Sequence, residues 1–202
     1  MSITNILLAF FTGIVGASMG GAQSFVLCGL VGLAGLGLAS AGAVGPLVGN
    51  IAFGTWFHPG MAFLGSLFAY NYSFKRGYIK SAKMITYPLV GLHKPDALLV
   101  GGIGGSIGYI VMTLLTSPDY LGIAVDGGAI TIISLSLVMK FIMEKTIVGK
   151  VPESVKASGG RFSVNNGNPW NRYQRGGMQK FALAIAWASV SVAATYVLYQ
   201  NE

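Results

Sequence analysis

Residues 3–44 read ITNILLAFFTGIVGASMGGAQSFVLCGLVGLAGLGLASAGAV, 42 residues without one charged side chain. A helix rises about 1.5 Å per residue, so a continuous helix would reach about 63 Å, twice the roughly 30 Å hydrocarbon core of a bilayer. The run must fold back on itself. The expected break is SMGGAQS, residues 18–24, where the Gly20-Gly21 pair loosens a helix and Gln23 and two serines offer partners to freed backbone groups.

Working outward, no Asp, Glu, Lys or Arg precedes Lys75, and charged residues make up only 9% of the 202-residue chain. Soluble domains carry about 25%. No water-soluble surface can be built from such a stretch, so the fold class expected is an all-α, polytopic membrane helix bundle forming a single transmembrane domain over residues 1–202. A basic leader region is missing, and the first helix is expected to stay in the mature protein. Cys28 is the sole cysteine, which rules out a disulfide within the chain and leaves a packing residue. The formal charge of +7 gathers in two loops between apolar runs, a pattern of membrane topology and not of a nucleic-acid-binding face.

The ruler of about 20 residues per span gives five or six membrane segments, at least one of them broken or re-entrant. Residues 3–19 form a short first segment and a second follows to Gly45-Pro46, where proline removes the donor that continues a helix. A third run extends over residues 51–74. Pro95 and Asp96 suit the first turn of a fourth span ending near Thr116. After the turn Ser117-Pro118-Asp119-Tyr120, residues 121–143 and 181–199 supply two more. Lys75, Arg76, Lys80, Lys83 and Lys94 mark residues 75–96 as a basic loop, and residues 144–180 form a second; the positive-inside rule places both in the cytoplasm. Both termini then lie outside if the first segment crosses, whereas a re-entrant first segment puts the N-terminus inside.

Thirty glycines concentrate in the apolar runs, at four-residue spacings such as Gly16 with Gly20 and Gly101 with Gly105. Such spacing serves close helix packing. A second reading makes Gly20, Gly21, Gly101, Gly102, Gly104 and Gly105 helix breaks lining a solute path, as in transporters with unwound segments.

Reaction motifs are weak. Gly104-Gly105-Ser106-Ile107-Gly108 fits the G-x-S-x-G pattern but lies in a span-length helix that supplies no strand-to-helix elbow. His58 and His93 lack metal-ligand spacing and no P-loop occurs, so no catalytic residue, metal or cofactor is expected. Four isolated polar residues remain as candidates for a solute path or gate: Gln23, Asn50, His58 and Asp126. His58, in Trp56-Phe57-His58-Pro59-Gly60, titrates near neutral pH with no charged residue around it in sequence, although an interfacial histidine is the simpler account. Asp126 is expected six residues inside its span, with an interfacial cap as the simpler account; for Gln23 and Asn50 the simpler account is helix bridging. Lys140 and Glu144 stand at the spacing of a helix-surface pair. Trp170, Arg172, Tyr173 and Arg175 mix aromatic and basic character suited to an interfacial anchor or to anionic headgroups.

Phe57-His58-Pro59, Ala69-Tyr70, residues 95–102 (PDALLVGG) and Gly108-Tyr109 together resemble an uncharacterised prokaryotic family of Gly-rich, multi-spanning membrane proteins. The resemblance implies membrane residence and prokaryotic origin, and carries no functional residue. The functional expectation is a channel or secondary transporter for a small solute or ion in a cell membrane, partnered by the bilayer and by further copies of itself. A non-catalytic assembly or scaffold protein is the alternative.

Overall fold

The computed structural model describes residues 1–42, 45, 47–145, 151, 153–165 and 177–199, without the side chains of residues 144, 195, 198 and 199. Every regular element among them is helical: α1 (Ile3–Met19), α2 (Gly21–Ser40), a short π-helical segment (Leu47–Ala52), α3 (Ala62–Lys75), a 3-10 turn (Leu89–Leu92), α4 (Pro95–Thr116), α5 (Gly127–Glu144), α6 (Glu153–Ala157) and α7 (Gly177–Tyr199). The chain forms two compact units, Met1–Ile147 and Val148–Glu202. By length and composition α2, α4 and the stretch Gly177–Ala194 of α7 can each cross a membrane, while α1 and the apolar part of α5 are shorter.

The fold-back of the first run lies at Gly20. α1 ends at Met19 and α2 starts at Gly21, with Gly20 at φ +107° and ψ 140°, a conformation that side chains resist. α2 ends earlier than expected, at Ser40, where Gly42 takes φ +78°; Pro46 lies outside the described residues. α4 begins with Pro95 at its first turn and stops at Ser117, which turns extended (ψ 134°) as a residue before proline must.

The core of the first unit is the mutual packing of α1, α3 and α4. α1 buries Ala9, Thr12, Gly13, Gly16 and Ala17, one stripe at helical spacing. Ile6, Ala9 and Gly13 meet Ser106, Gly105 and Gly101 in turn, so α1 runs antiparallel to α4. Gly101, Gly102, Gly104 and Gly105 follow the close-packing reading and not the helix-break reading, because α4 is continuous through them. A Cβ on Gly101 would sit 2.8 Å from Ala17 Cβ, one on Gly102 would sit 2.6 Å from the Phe10 ring, and one on Gly104 would sit 2.7 Å from Phe68. A Cβ on Gly105 would run into the Ala9 carbonyl. These glycines bring backbones together and leave the hydrogen-bond ladder intact.

Two further boundaries depart from the sequence expectation. Residues 51–74 do not form one helix: the π-helical segment gives way to irregular chain at residues 53–61 before α3 begins. Gly54 turns so tightly that a Cβ would strike the Asn50 carbonyl, and Pro59-Gly60 removes one donor and adds flexibility. The run over residues 121–143 is also shortened at its start. Residues 121–126 fold back on the end of α4, with Leu121 N–H donating to Leu114 O (3.2 Å) and Ile123 N–H to Leu115 O (2.8 Å), and α5 starts only at Gly127.

The basic loop is tied into the core. Ile79 and Leu89 join Ala17, Ala69 and Tyr70 in one buried cluster, and Ala22 N–H donates to Ile85 O at 3.0 Å. Tyr70, fully buried, accepts from Gly21 N–H (3.1 Å) and directs its hydroxyl at Ile85 O (3.0 Å) and Tyr87 O (2.8 Å). Tyr70→Phe leaves the buried Gly21 N–H without its acceptor and is expected to cost about 1–3 kcal/mol. The melting temperature of the purified variant checks this, an unchanged value being the contrary result.

In the second unit, α6 carries an exposed Lys156–Glu153 pair at 2.7 Å, of a kind worth a few tenths of a kcal/mol. Trp170, Arg172, Tyr173 and Arg175 lie outside the described residues, as does the Glu144 side chain expected to pair with Lys140.

Candidate functional site

His58 lies in the irregular stretch between the π-helical segment and α3. Its carbonyl accepts from Met61 N–H (2.9 Å) and Ala62 N–H (3.0 Å), so the residue also seats the first turn of α3. Its Nδ1 accepts from Gly60 N–H at 2.9 Å, which leaves Nε2 as the protonated nitrogen of the neutral ring. The Phe53 ring stands edge-on at 6.3 Å.

Asp126 does not lie six residues inside a helix. It is the N-cap of α5, its Oδ1 accepting from Ala129 N–H at 2.9 Å, because α5 starts at Gly127. The cap position brings it to His58. A Cβ on Gly128 would sit 2.7 Å from His58 Cε1 and 3.3 Å from Asp126 Oδ1, so both side chains converge on the first turn of α5. The neighbouring Gly127 fits against Thr116 and Met112 of α4 for the same reason, since a Cβ there would overlap the Thr116 methyl. Gly127-Gly128 thus closes α5 onto α4 and the broken segment.

One turn along α5, on the face of Gly127, Thr131 is fully buried and its Oγ1 has no hydrogen-bond partner among the described residues. A buried hydroxyl left so is costly, and it stands one helical turn along α5 from the end on which His58 and Asp126 converge. Thr131 had no sequence signal beyond a hydroxyl four residues from Gly127.

Gln23 and Asn50 are not drawn to this site. Gln23 donates through Nε2 to Thr86 O at 2.7 Å, bridging α2 to the basic loop, and lines an apolar groove of about 570 Å³ with Met19, Val26 and Leu30. Asn50 is exposed on the π-helical segment, which packs on α2. Ser106, of the G-x-S-x-G pattern, lies mid-helix and donates to Ile6 O at 3.1 Å. Among the described residues no three His, Cys, Asp or Glu side chains gather as metal ligands.

A second polar cluster, unanticipated in sequence, occupies the opposite end of α4. Tyr72 and Tyr78 both donate to Asp96 Oδ2, at 3.0 and 2.9 Å, and Arg76 Nε donates to Tyr72 Oη at 3.0 Å. The bond to Asp96 raises the pKa of the Tyr78 phenol by holding its proton. The clue available was three aromatic or basic residues, Tyr72, Arg76 and Tyr78, at spacings of four and two.

No curated protein and no solved structure matches the chain. The chain is instead matched over residues 1–173, which hold the α1–α5 bundle and both polar clusters, by a family of unknown function, DUF7973, and it belongs to that family.

Proposed function

We propose that the protein is a polytopic protein of a cell membrane, working as a homo-oligomeric channel or secondary transporter for a small ion or solute. The segments would be α1, α2, the broken stretch 47–75 as a re-entrant element, α4, α5 and α7, which together make the five or six expected from the sequence. Exposed apolar side chains on α1 (Leu7, Phe11), α2 (Phe25, Leu33), α5 (Ile133, Phe141) and α7 (Phe181, Trp187) supply surfaces for lipid or for further copies.

The observation that carries the functional part is the convergence of His58 and Asp126 beside a broken segment, with the buried, unpartnered Thr131 hydroxyl one helical turn further along α5. An ionisable pair at such a place marks ion pathways and proton relays in membrane proteins. Few segments enclose little volume, which favours a passage completed in an oligomer.

Proteoliposomes holding the full chain are expected to pass protons or a small cation faster than empty vesicles. Equal rates for protons, sodium and potassium would sink the transport reading and leave the scaffold alternative.

A further inference from the structure

Lys75, Arg76, Lys80, Lys83 and Lys94 are all exposed, and Asp96 is the only acidic residue in the first 118 of the chain. That carboxylate is engaged by the two phenols of Tyr72 and Tyr78, and among the described residues neither Arg76 nor Lys94 forms an ion pair. Both cations are nevertheless held in place. The Arg76 guanidinium carbon lies 5.3 Å from the centre of the Tyr72 ring and Lys94 Nζ lies 5.2 Å from that of Tyr78, the two rings standing 6.4 Å apart at 76°. Cation–π contact and one hydrogen bond fix the Arg76 stem and leave its outer N–H groups to donate elsewhere.

The placement suits a phosphate at a lipid surface. Arg76 follows the last turn of α3 and Lys94 precedes the first turn of α4, the level at which headgroups meet helix ends. Phe74, two residues before Arg76 and about half exposed, offers apolar contact for an acyl chain.

We infer that Arg76 and Lys94, mounted on the Tyr72–Tyr78 pair, form a binding site for the phosphate of an anionic phospholipid. The site rests on the membrane-embedded part of the reading above, not on transport.

The test measures binding of phosphatidylglycerol and phosphatidylcholine to the full chain in detergent by native mass spectrometry, with inorganic phosphate as competitor. Phosphatidylglycerol is expected to bind preferentially, and R76Q/K94Q to lower that preference about tenfold or more, since each cation near a headgroup surface contributes measurably. K80Q/K83Q removes the same charge from lysines not seated on this pair and is expected to change it by less than about threefold. Equal binding of the two lipids by the wild-type chain overturns the site, as does an equal loss in both double variants, which would mean diffuse charge only. Displacement of lipid by millimolar phosphate would assign the site to a soluble anion and overturn the lipid. Resistance of the chain to alkaline extraction from membranes reads embedding separately, so a lipid-indifferent chain that stays in the bilayer fails here alone.

Discussion

Gly13→Val is expected to abolish the native bundle, lowering stability by about 3 kcal/mol or more. A Cβ on Gly13 would overlap the Gly101 carbonyl oxygen and lie 3.0 Å from Gly105 N, both backbone atoms of a continuous helix that cannot swing aside as a side chain can. The same place is crowded from the third side, because a Cβ on Gly65 would lie 2.6 Å from Gly13 Cα. Three backbones therefore meet at one point, and relief requires separating α1, α3 and α4 together. Gly29→Ala and Gly37→Ala make the control: both glycines lie within α2 with nothing within 4 Å of an added Cβ, and alanine there is expected to be neutral or to add up to about 1 kcal/mol. Thermal unfolding of the purified variants reads the difference. Similar melting temperatures for Gly13→Val and Gly29→Ala would refute the crossing as the basis of the fold.

That crossing explains which parts of the fold were legible in the sequence. Charge-free runs and the length ruler give the helices, and a glycine pair flanked by Gln23 and serines gives the break at Gly20, because backbone freedom and polar partners are local properties. Whether a glycine breaks or packs a helix is not local. Gly20 sits at φ +107° and ends α1, while Gly101-Gly102 and Gly104-Gly105 stay helical because neighbours press on their missing side chains. The pattern G-G in an apolar run is the same in both cases; only the partner helix distinguishes them. Residues 51–74 failed for a more readable reason, since Pro59-Gly60 stands within the run and carries its own stop signal.

The site was legible in its members but not in its grouping. His58 and Asp126 stand out as ionisable residues in apolar surroundings, yet 68 positions separate them, and their meeting depends on where α5 starts. Asp126 read as a carboxylate six residues inside its span, with an interfacial cap as the simpler account, because the apolar run begins at Leu121; the structure spends residues 121–126 folding back on α4, which leaves Asp126 at the helix cap. The Tyr72–Tyr78–Asp96 cluster was missed because a hydrogen-bonded carboxylate at a helix start looks in sequence like one favoured by the dipole alone.

Asp126→Asn is expected to lower flux in proteoliposomes about tenfold or more, because it removes the negative charge beside His58 in the proposed path, while the melting temperature stays close to that of the wild-type chain. Asparagine caps a helix as well as aspartate, so its Oδ1 can still accept from Ala129 N–H, and only the charge beside His58 is removed. Asp126→Ala separates the two roles, since it loses the cap as well, at about 1 kcal/mol, and should show both a lower melting temperature and the same loss of flux. His58→Asn is the matching change on the other side: an asparagine Oδ1 can accept from the N–H two residues on, as Nδ1 of His58 does from Gly60, so the turn into α3 survives while the titrating ring is gone. Any step that the imidazole sets in the flux–pH profile is expected to vanish in this variant, because no titrating ring remains at position 58. Wild-type flux in Asp126→Asn would reduce Asp126 to a helix cap, and an unaltered pH profile in His58→Asn would remove the ring from the pathway. The two substitutions share one site, so their effects on flux should fall short of additive, and a double variant losing the full sum would mean that His58 and Asp126 act apart.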